Sequence, residues 1–225
     1  MKTRLCSLLS SDDATELYRC FLEDTFRVMN RVPGTQRVIS YTPEGSEAYF
    51  QRDGLKDQRL LLQRGDSFGE RLFNAFEDLF SEGFGSVIIL NADSPTLPVR
   101  YLTQAFEELA RAGDRVVLGP ADDGGYYLIG LKRAHRVLFE RITWSSDRVL
   151  AETLERARES AIEASLLPAW YDVDDAEGLE RLLRETAQPN EVHEAMSTRS
   201  FIEQHWPSHQ LSKSDKLSHH RAKAG

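Results

Sequence analysis

Three acidic stretches carry the residues best suited to chemistry. The first, Leu90-Asn91-Ala92-Asp93-Ser94-Pro95, follows directly on the apolar run Val87-Ile88-Ile89-Leu90. An aspartate at the end of a buried strand can present its carboxylate to a divalent cation, a hard ion that prefers oxygen ligands and bridges phosphates. The same residues before Pro95 also suit an Asx-turn or helix cap. The second stretch is Gly119-Pro120-Ala121-Asp122-Asp123-Gly124-Gly125-Tyr126-Tyr127. Asp-Gly between two apolar runs is a hairpin signal. Paired glycines and tyrosines beside Asp122 and Asp123 equally suit close approach of a sugar or nucleotide. The third is Trp170-Tyr171-Asp172-Val173-Asp174-Asp175. Asp172 and Asp174 alternate, so in extended chain both face one side and can complete a metal site. Asp174 with Glu177 also reads as a capping box, the reading the residues alone favour. A fourth feature, Gly65-Asp66-Ser67-Phe68-Gly69-Glu70-Arg71-Leu72, is a glycine-flanked loop opening a helix. Helix N-termini favour anions, and Arg71 adds a cation in the first turn.

The elements that must position these residues follow from periodicity. Leu17, Phe21, Val28 and Met29 recur at near-helical spacing over residues 12–31, capped by Ser10 or Ser11. Pro33-Gly34 ends that helix, and residues 37–41 read as a strand. A short helical piece near 45–51 leads to a strand at 59–63. Residues 68–80 form an amphipathic helix with Leu72, Phe73, Phe76, Leu79 and Phe80 on its apolar stripe. The run 86–90 is apolar throughout, as expected of a strand buried on both faces of a parallel sheet. A helix from Pro98 to about Arg111, strands at 115–118 and 126–131, helices at 133–140 and 146–160, a strand at 162–167 and a helix at 176–186 complete the body. This alternation predicts a doubly wound α/β domain over residues 1–187. In such sheets the reacting groups lie beyond the carboxyl ends of the strands, where the acidic stretches fall.

The chain has 225 residues and a formal net charge of −8, with 28% charged and 40% apolar residues. That balance excludes wholesale disorder and argues against a general nucleic-acid binder, which needs a basic face. The apolar runs are far shorter than the ~20 residues of a membrane span. The start, Met1-Lys2-Thr3-Arg4, leads into no apolar stretch of signal-peptide type, so the sequence reads as cytoplasmic. Cys6 and Cys20 then read as reduced, small apolar fillers. Residues 188–225 form a polar tail holding His193, His205, His209, His219 and His220. No histidine pair sits at ligand spacing within a periodic segment, so a solvated tail is the reading. Within it a short helix is expected near 191–206, and disorder beyond Pro207.

Together, Lys2-Thr3-Arg4-Leu5, the 65–72 loop, Asp93-Ser94-Pro95, the 119–131 stretch, Trp144-Ser145 and Asp172-Val173-Asp174 occur in an order that resembles bacterial GT-A-type nucleotide-diphospho-sugar transferases. The branch most similar is the arsenosugar-biosynthesis-type glycosyltransferases. The resemblance spans about residues 2–187 and implies a Rossmann-like mixed sheet with helices on both faces. It implies a nucleotide-sugar donor, a small-molecule acceptor and a divalent metal, Mg or Mn. Asp93 takes the place of the metal- and diphosphate-associated aspartate, and Asp172 and Asp174 the place of the later acidic motif. Asp123, Gly124 and Gly125 match the sugar or acceptor pocket, and Lys2 and Arg4 the end of a phosphate-binding loop. On this footing Asp93 and Asp123 are the catalytic candidates. Lys2, Arg4, Gly65, Asp66, Arg71, Ser94, Asp122, Gly124, Gly125 and Trp144 are the substrate-binding candidates, and Asp93, Asp172 and Asp174 the metal ligands. The metal and cations would neutralise a leaving diphosphate while an aspartate orients or deprotonates the acceptor hydroxyl. The family also implies a central strand and glycine loop ahead of Lys2, whose lack would leave its two neighbours with unpaired backbone groups. A threonine commonly follows the family's last acidic pair, where this chain has Asp175. Two other readings stand beside the glycosyltransferase: a nucleotidyltransferase releasing pyrophosphate, and a truncated, non-catalytic homologue.

Overall fold

The computed structural model describes Leu5 and residues 9–50, 58–187 and 195–205. Helix α1 (Ser11–Asn30) starts at Ser10, whose hydroxyl accepts from the Asp13 N–H. Strands β1 (Val38–Tyr41) and β2 (Arg59–Leu62) flank a 3-10 turn at Glu47–Phe50. Then follow α2 (Phe68–Ser81), β3 (Val87–Leu90), α3 (Val99–Ala110), β4 (Arg115–Pro120) and β5 (Tyr126–Leu131). A 3-10 turn at Arg136–Phe139 stands where the periodicity predicts a helix. Helix α4 (Val149–Glu159), β6 (Glu163–Leu166), α5 (Ala176–Thr186) and α6 (Met196–His205) close the chain.

The sheet is mixed. β4 and β5 form an antiparallel hairpin, β6 runs parallel to β4, and β3 lies antiparallel to β5. This corrects the expectation that β3 sits in a parallel sheet. The hairpin inserts β5 between β3 and β4, and an apolar run cannot reveal which neighbour it will meet. Nor is β3 buried on both faces: only Val87 is buried, and Ile88, Ile89 and Leu90 are half-buried. The reason is its other edge. β1 and β2 pair parallel as a separate two-stranded sheet, and β1 and β3 line opposite sides of one cleft.

Helices cover both faces of the larger sheet. Val116, Leu118, Ile129 and Leu131 pack with Phe73 and Phe76 of α2 and Ala157 of α4, while Val117 and Leu128 pack with Leu102, Ala105 and Leu109 of α3. Gly119 and Gly130 are dictated by close approach: a Cβ on Gly119 would enter the Tyr127 ring, and one on Gly130 would lie 3.1 Å from Leu109. A third cluster joins Leu17 and Phe21 of α1 to Val173, to Leu179 and Leu182 of α5, and to Phe201 and Ile202 of α6. Helix α6 therefore shares the body's core although the sequence places it in a polar tail. The buried carboxylate of Asp24 on α1 accepts from the N–H groups of Ser197 and Thr198 at 2.9 and 2.8 Å, capping α6 from another helix. His205 stacks on Phe201 with ring centroids 4.0 Å apart. Cys20 is buried, which pushes its thiol up to about 12. Cys6, Lys2, Arg4, the other tail histidines and the segment beyond Pro207 lie outside the described residues.

Candidate active site

Residues at or just past the carboxyl ends of β1, β2, β3 and β4, with the opening residues of β5, line a cleft of about 1730 Å³. Small-molecule sites usually occupy ~300–1,000 Å³. The excess follows from the cleft running on between β1 and β3.

Asp93 is placed by the loop after β3. The Asn91 N–H donates to the Tyr127 carbonyl at 2.9 Å, extending the β3–β5 ladder, and the Asp93 carbonyl accepts from Val173 at 2.8 Å. That second bond draws Asp172-Val173-Asp174 against the Asp93 loop. Val173 is fully buried, while Asp172 and Asp174 stay half-exposed. Asp93, Asp172 and Asp174 thus line the same cleft. Tyr18 of α1 lines it too, and burial, then the Asp93 and Asp174 carboxylates, raise its phenol above the ordinary value.

Asp174 is not the helix cap that its spacing to Glu177 favours. Asp175 is: its carboxylate accepts from the Gly178 N–H at 3.0 Å. A carboxylate can cap from either position in sequence terms, and the main-chain bond from Val173 decides between them by fixing the segment one residue further on. The Asp175 side chain performs at this place what a threonine hydroxyl can also do.

The second stretch forms the β4–β5 turn. Ala121 donates to Gly125 at 3.0 Å, and the Gly125 N–H donates to Asp123 Oδ1 at 2.8 Å. Gly124 has φ +87° and lies under Asp147, whose backbone leaves no room for a Cβ. The Leu150 N–H also donates to the Gly124 carbonyl at 2.9 Å. The loop carrying Trp144, Ser145 and Ser146 is therefore pressed onto the turn, and Asp123, Gly125 and all three of these residues line the cleft. Asp122 instead receives Arg181 of α5 at 2.6 Å, outside the cleft lining. Tyr127 is buried and donates to the Pro168 carbonyl at 3.0 Å.

The loop before α2 is a capping box. Ser67 Oγ accepts from the Glu70 N–H at 3.2 Å, while the Glu70 carboxylate accepts from Ser67 and Asp66 at 3.0 and 2.9 Å. Those backbone bonds hold the Glu70 carboxyl below its usual range. They also occupy the amides that would otherwise receive an anion, so Gly65 and Asp66 serve the turn. Arg71 alone among the Gly65, Asp66 and Arg71 candidates lines the cleft. Ser94 is buried and its hydroxyl finds no partner among the described residues.

Among the described residues no group of three or more His, Cys, Asp and Glu side chains stands ready to hold a metal ion. The donor chemistry still fits Mg, which is commonly bound by one or two carboxylates together with substrate phosphates and water. Tyr18 and Tyr49, which no motif singled out, also line the cleft, as does Phe68 of the 65–72 loop.

Residues 25–146 match the model of a bacterial family described as "Uncharacterized protein conserved in bacteria (DUF2064)". Among solved structures, the chain is similar to a "putative nucleotide-diphospho-sugar transferase from Desulfovibrio desulfuricans G20". The two are 28% identical, with TM-score 0.81, covering 91% of this chain and 88% of that one. It also shares the fold of CMP:2-keto-3-deoxy-manno-octonic acid synthetase complexed with CTP, at 14% identity and TM-score 0.53, covering 75% of this chain and 88% of that one. No curated protein matches the chain. No helix among the described residues is long and apolar enough to cross a membrane.

Proposed function

The chain belongs to this bacterial family, DUF2064, and we propose that it is a metal-dependent glycosyltransferase that moves a sugar from a nucleotide-diphosphate donor to a small acceptor. The observation that supports the reading is the tie between Val173 and Asp93, which brings the 172–174 segment against the Asp93 loop in a cleft that Asp93, Asp172 and Asp174 all line. The similarity to the Desulfovibrio protein, over most of both chains, supports it. Asp93 with Asp172 or Asp174, together with the donor's phosphates, would hold Mg or Mn, and such an ion when bound neutralises a leaving diphosphate. Arg71 on the cleft wall adds a positive charge for the same anion. One oxygen of Asp123 is fixed by Gly125, which sets the carboxylate to orient or deprotonate an acceptor hydroxyl through the other. A net charge of −8 makes these local cations necessary for an anionic donor.

The test is an assay of the purified chain with a panel of nucleotide-sugars and of nucleoside triphosphates, with and without Mg or Mn. Consumption of a nucleotide-sugar with metal-dependent release of nucleoside diphosphate is the expected result. Pyrophosphate release from a triphosphate, with nucleotide-sugars untouched, overturns it in favour of nucleotidyl transfer. Turnover of neither class marks a non-catalytic homologue.

A further inference from the structure

The cleft also carries an aromatic cluster, drawn from the start of α2 and the loop after the Arg136–Phe139 turn. Phe68, the first residue of α2, keeps 48% of its surface exposed, while Phe73, Phe76 and Leu79 behind it are buried. Leaving a large aromatic side chain in water forgoes hydrophobic stabilisation, so an exposed ring in a cleft asks for an occupant. The ring is held in place. It meets Trp144 edge to face with centroids 5.0 Å apart. Trp144 in turn lies 6.5 Å from the Tyr126 ring, and its indole nitrogen sits where a Cβ on Gly69 would lie only 2.8 Å away. Gly69 thus admits the indole against α2, and the indole supports Phe68. The Arg71 guanidinium stands 6.0 Å from the centre of the Phe68 ring. Phe68, Arg71 and Trp144 line the same cleft as Asp93 and Asp174.

We infer that Phe68, supported by Trp144, is the ring-binding platform of this cleft and determines which substrate ring it accepts. The chemistry recognised is a ring face: the nucleobase of a donor or the C–H face of a sugar. Arg71 is placed beside it to meet a phosphate or carboxylate borne by the same ligand. A side chain already fixed by its neighbours loses little entropy when a second ring settles on it, which favours binding. The inference rests on the nucleotide-sugar reading and deepens it, by assigning ring recognition to a residue outside the acidic motifs.

Binding of two probes to the full chain, UDP with Mg and methyl glucoside, separates the sources. Isothermal titration and indole fluorescence give the dissociation constants for wild type, Phe68→Ala, Phe68→Leu and Phe68→Tyr. Loss of stacking is expected to weaken one probe roughly 5- to 100-fold in Phe68→Ala. Phe68→Leu, which restores apolar bulk without a ring, stays weak, and Phe68→Tyr binds as wild type does. The probe that weakens identifies the ring. Wild-type binding of both probes by Phe68→Ala, or full rescue by leucine, overturns the platform while leaving the proposed function standing. A wild-type chain that binds neither probe overturns the proposed function, and the platform with it.

Discussion

The N–H of Val173 donates to the carbonyl of Asp93 across 2.8 Å, joining two segments that lie far apart in the sequence. Because this bond is main chain to main chain, it survives a change of either side chain. Asp93→Asn should therefore keep the fold and lose the charge. Metal-stimulated turnover of a nucleotide-sugar is expected to fall at least about 100-fold, in line with removal of one group that stabilises developing charge. The melting curve should stay close to that of wild type. Full activity in the variant removes Asp93 from the site.

The neighbouring carboxylates separate cleanly. Asp175 caps α5 and Asp174 faces the cleft. Asp175→Ala should cost about 1 kcal/mol in urea unfolding and leave turnover intact. Asp174→Ala should do the reverse, with near-wild-type stability and lost metal stimulation. Equal destabilisation by both would mean that the cap is shared.

These carboxylates also show what a sequence can disclose. Asp93 is legible because a run of Val, Ile and Leu ending in Asn-Ala-Asp marks the end of a strand, and strand ends are where such folds bind ligands. The alternation of Asp172 and Asp174 is legible for the same geometric reason. Which of Asp174 and Asp175 caps the helix is not, since helix starts shift by a residue without disturbing the apolar pattern. The pairing of β3 is equally hidden, being decided by a hairpin formed some thirty residues further on. Nor does periodicity reveal that the Phe68 ring meets Trp144, a contact made with a residue far along the chain.

Gly124 provides a steric test of how the site loop is held. Its φ of +87° disfavours any side chain, and a Cβ would run into the backbone of Asp147. Gly124→Ala should destabilise the protein by more than the ~1–2 kcal/mol of a left-handed alanine alone. The loop from Thr143 to Arg148 must shift to relieve the overlap, so Trp144 fluorescence should change together with the melting temperature. A variant with unaltered emission and stability would show that the loop is not pressed against the turn.

Asp24 gives a prediction in pH. Its carboxyl is fully buried, and burial raises its pKa above the ordinary value despite the opposing N–H bonds from Thr198 and Ser197 and the nearby Arg27. The folded chain therefore holds this proton to a higher pH than the unfolded chain does. By linkage, the stabilisation that this group contributes is fully present below the unfolded value of 3.8 and is lost as pH rises through the raised folded value. Asp24→Asn cannot ionise and lacks that slope. Melting temperatures of both proteins, taken at steps from acid to neutral pH, should show the wild type losing ground to the asparagine variant across this window. A difference that stays constant counts against the raised pKa. The same carboxylate accepts the two N–H groups that open α6, so Asp24→Ala should release that helix first. Amide exchange in Met196–His205 is then expected to quicken while β4 and β5, at the centre of the larger sheet, stay protected. Equal loss of protection in both places would mean that α6 is part of the global unfolding unit and not a separately docked element.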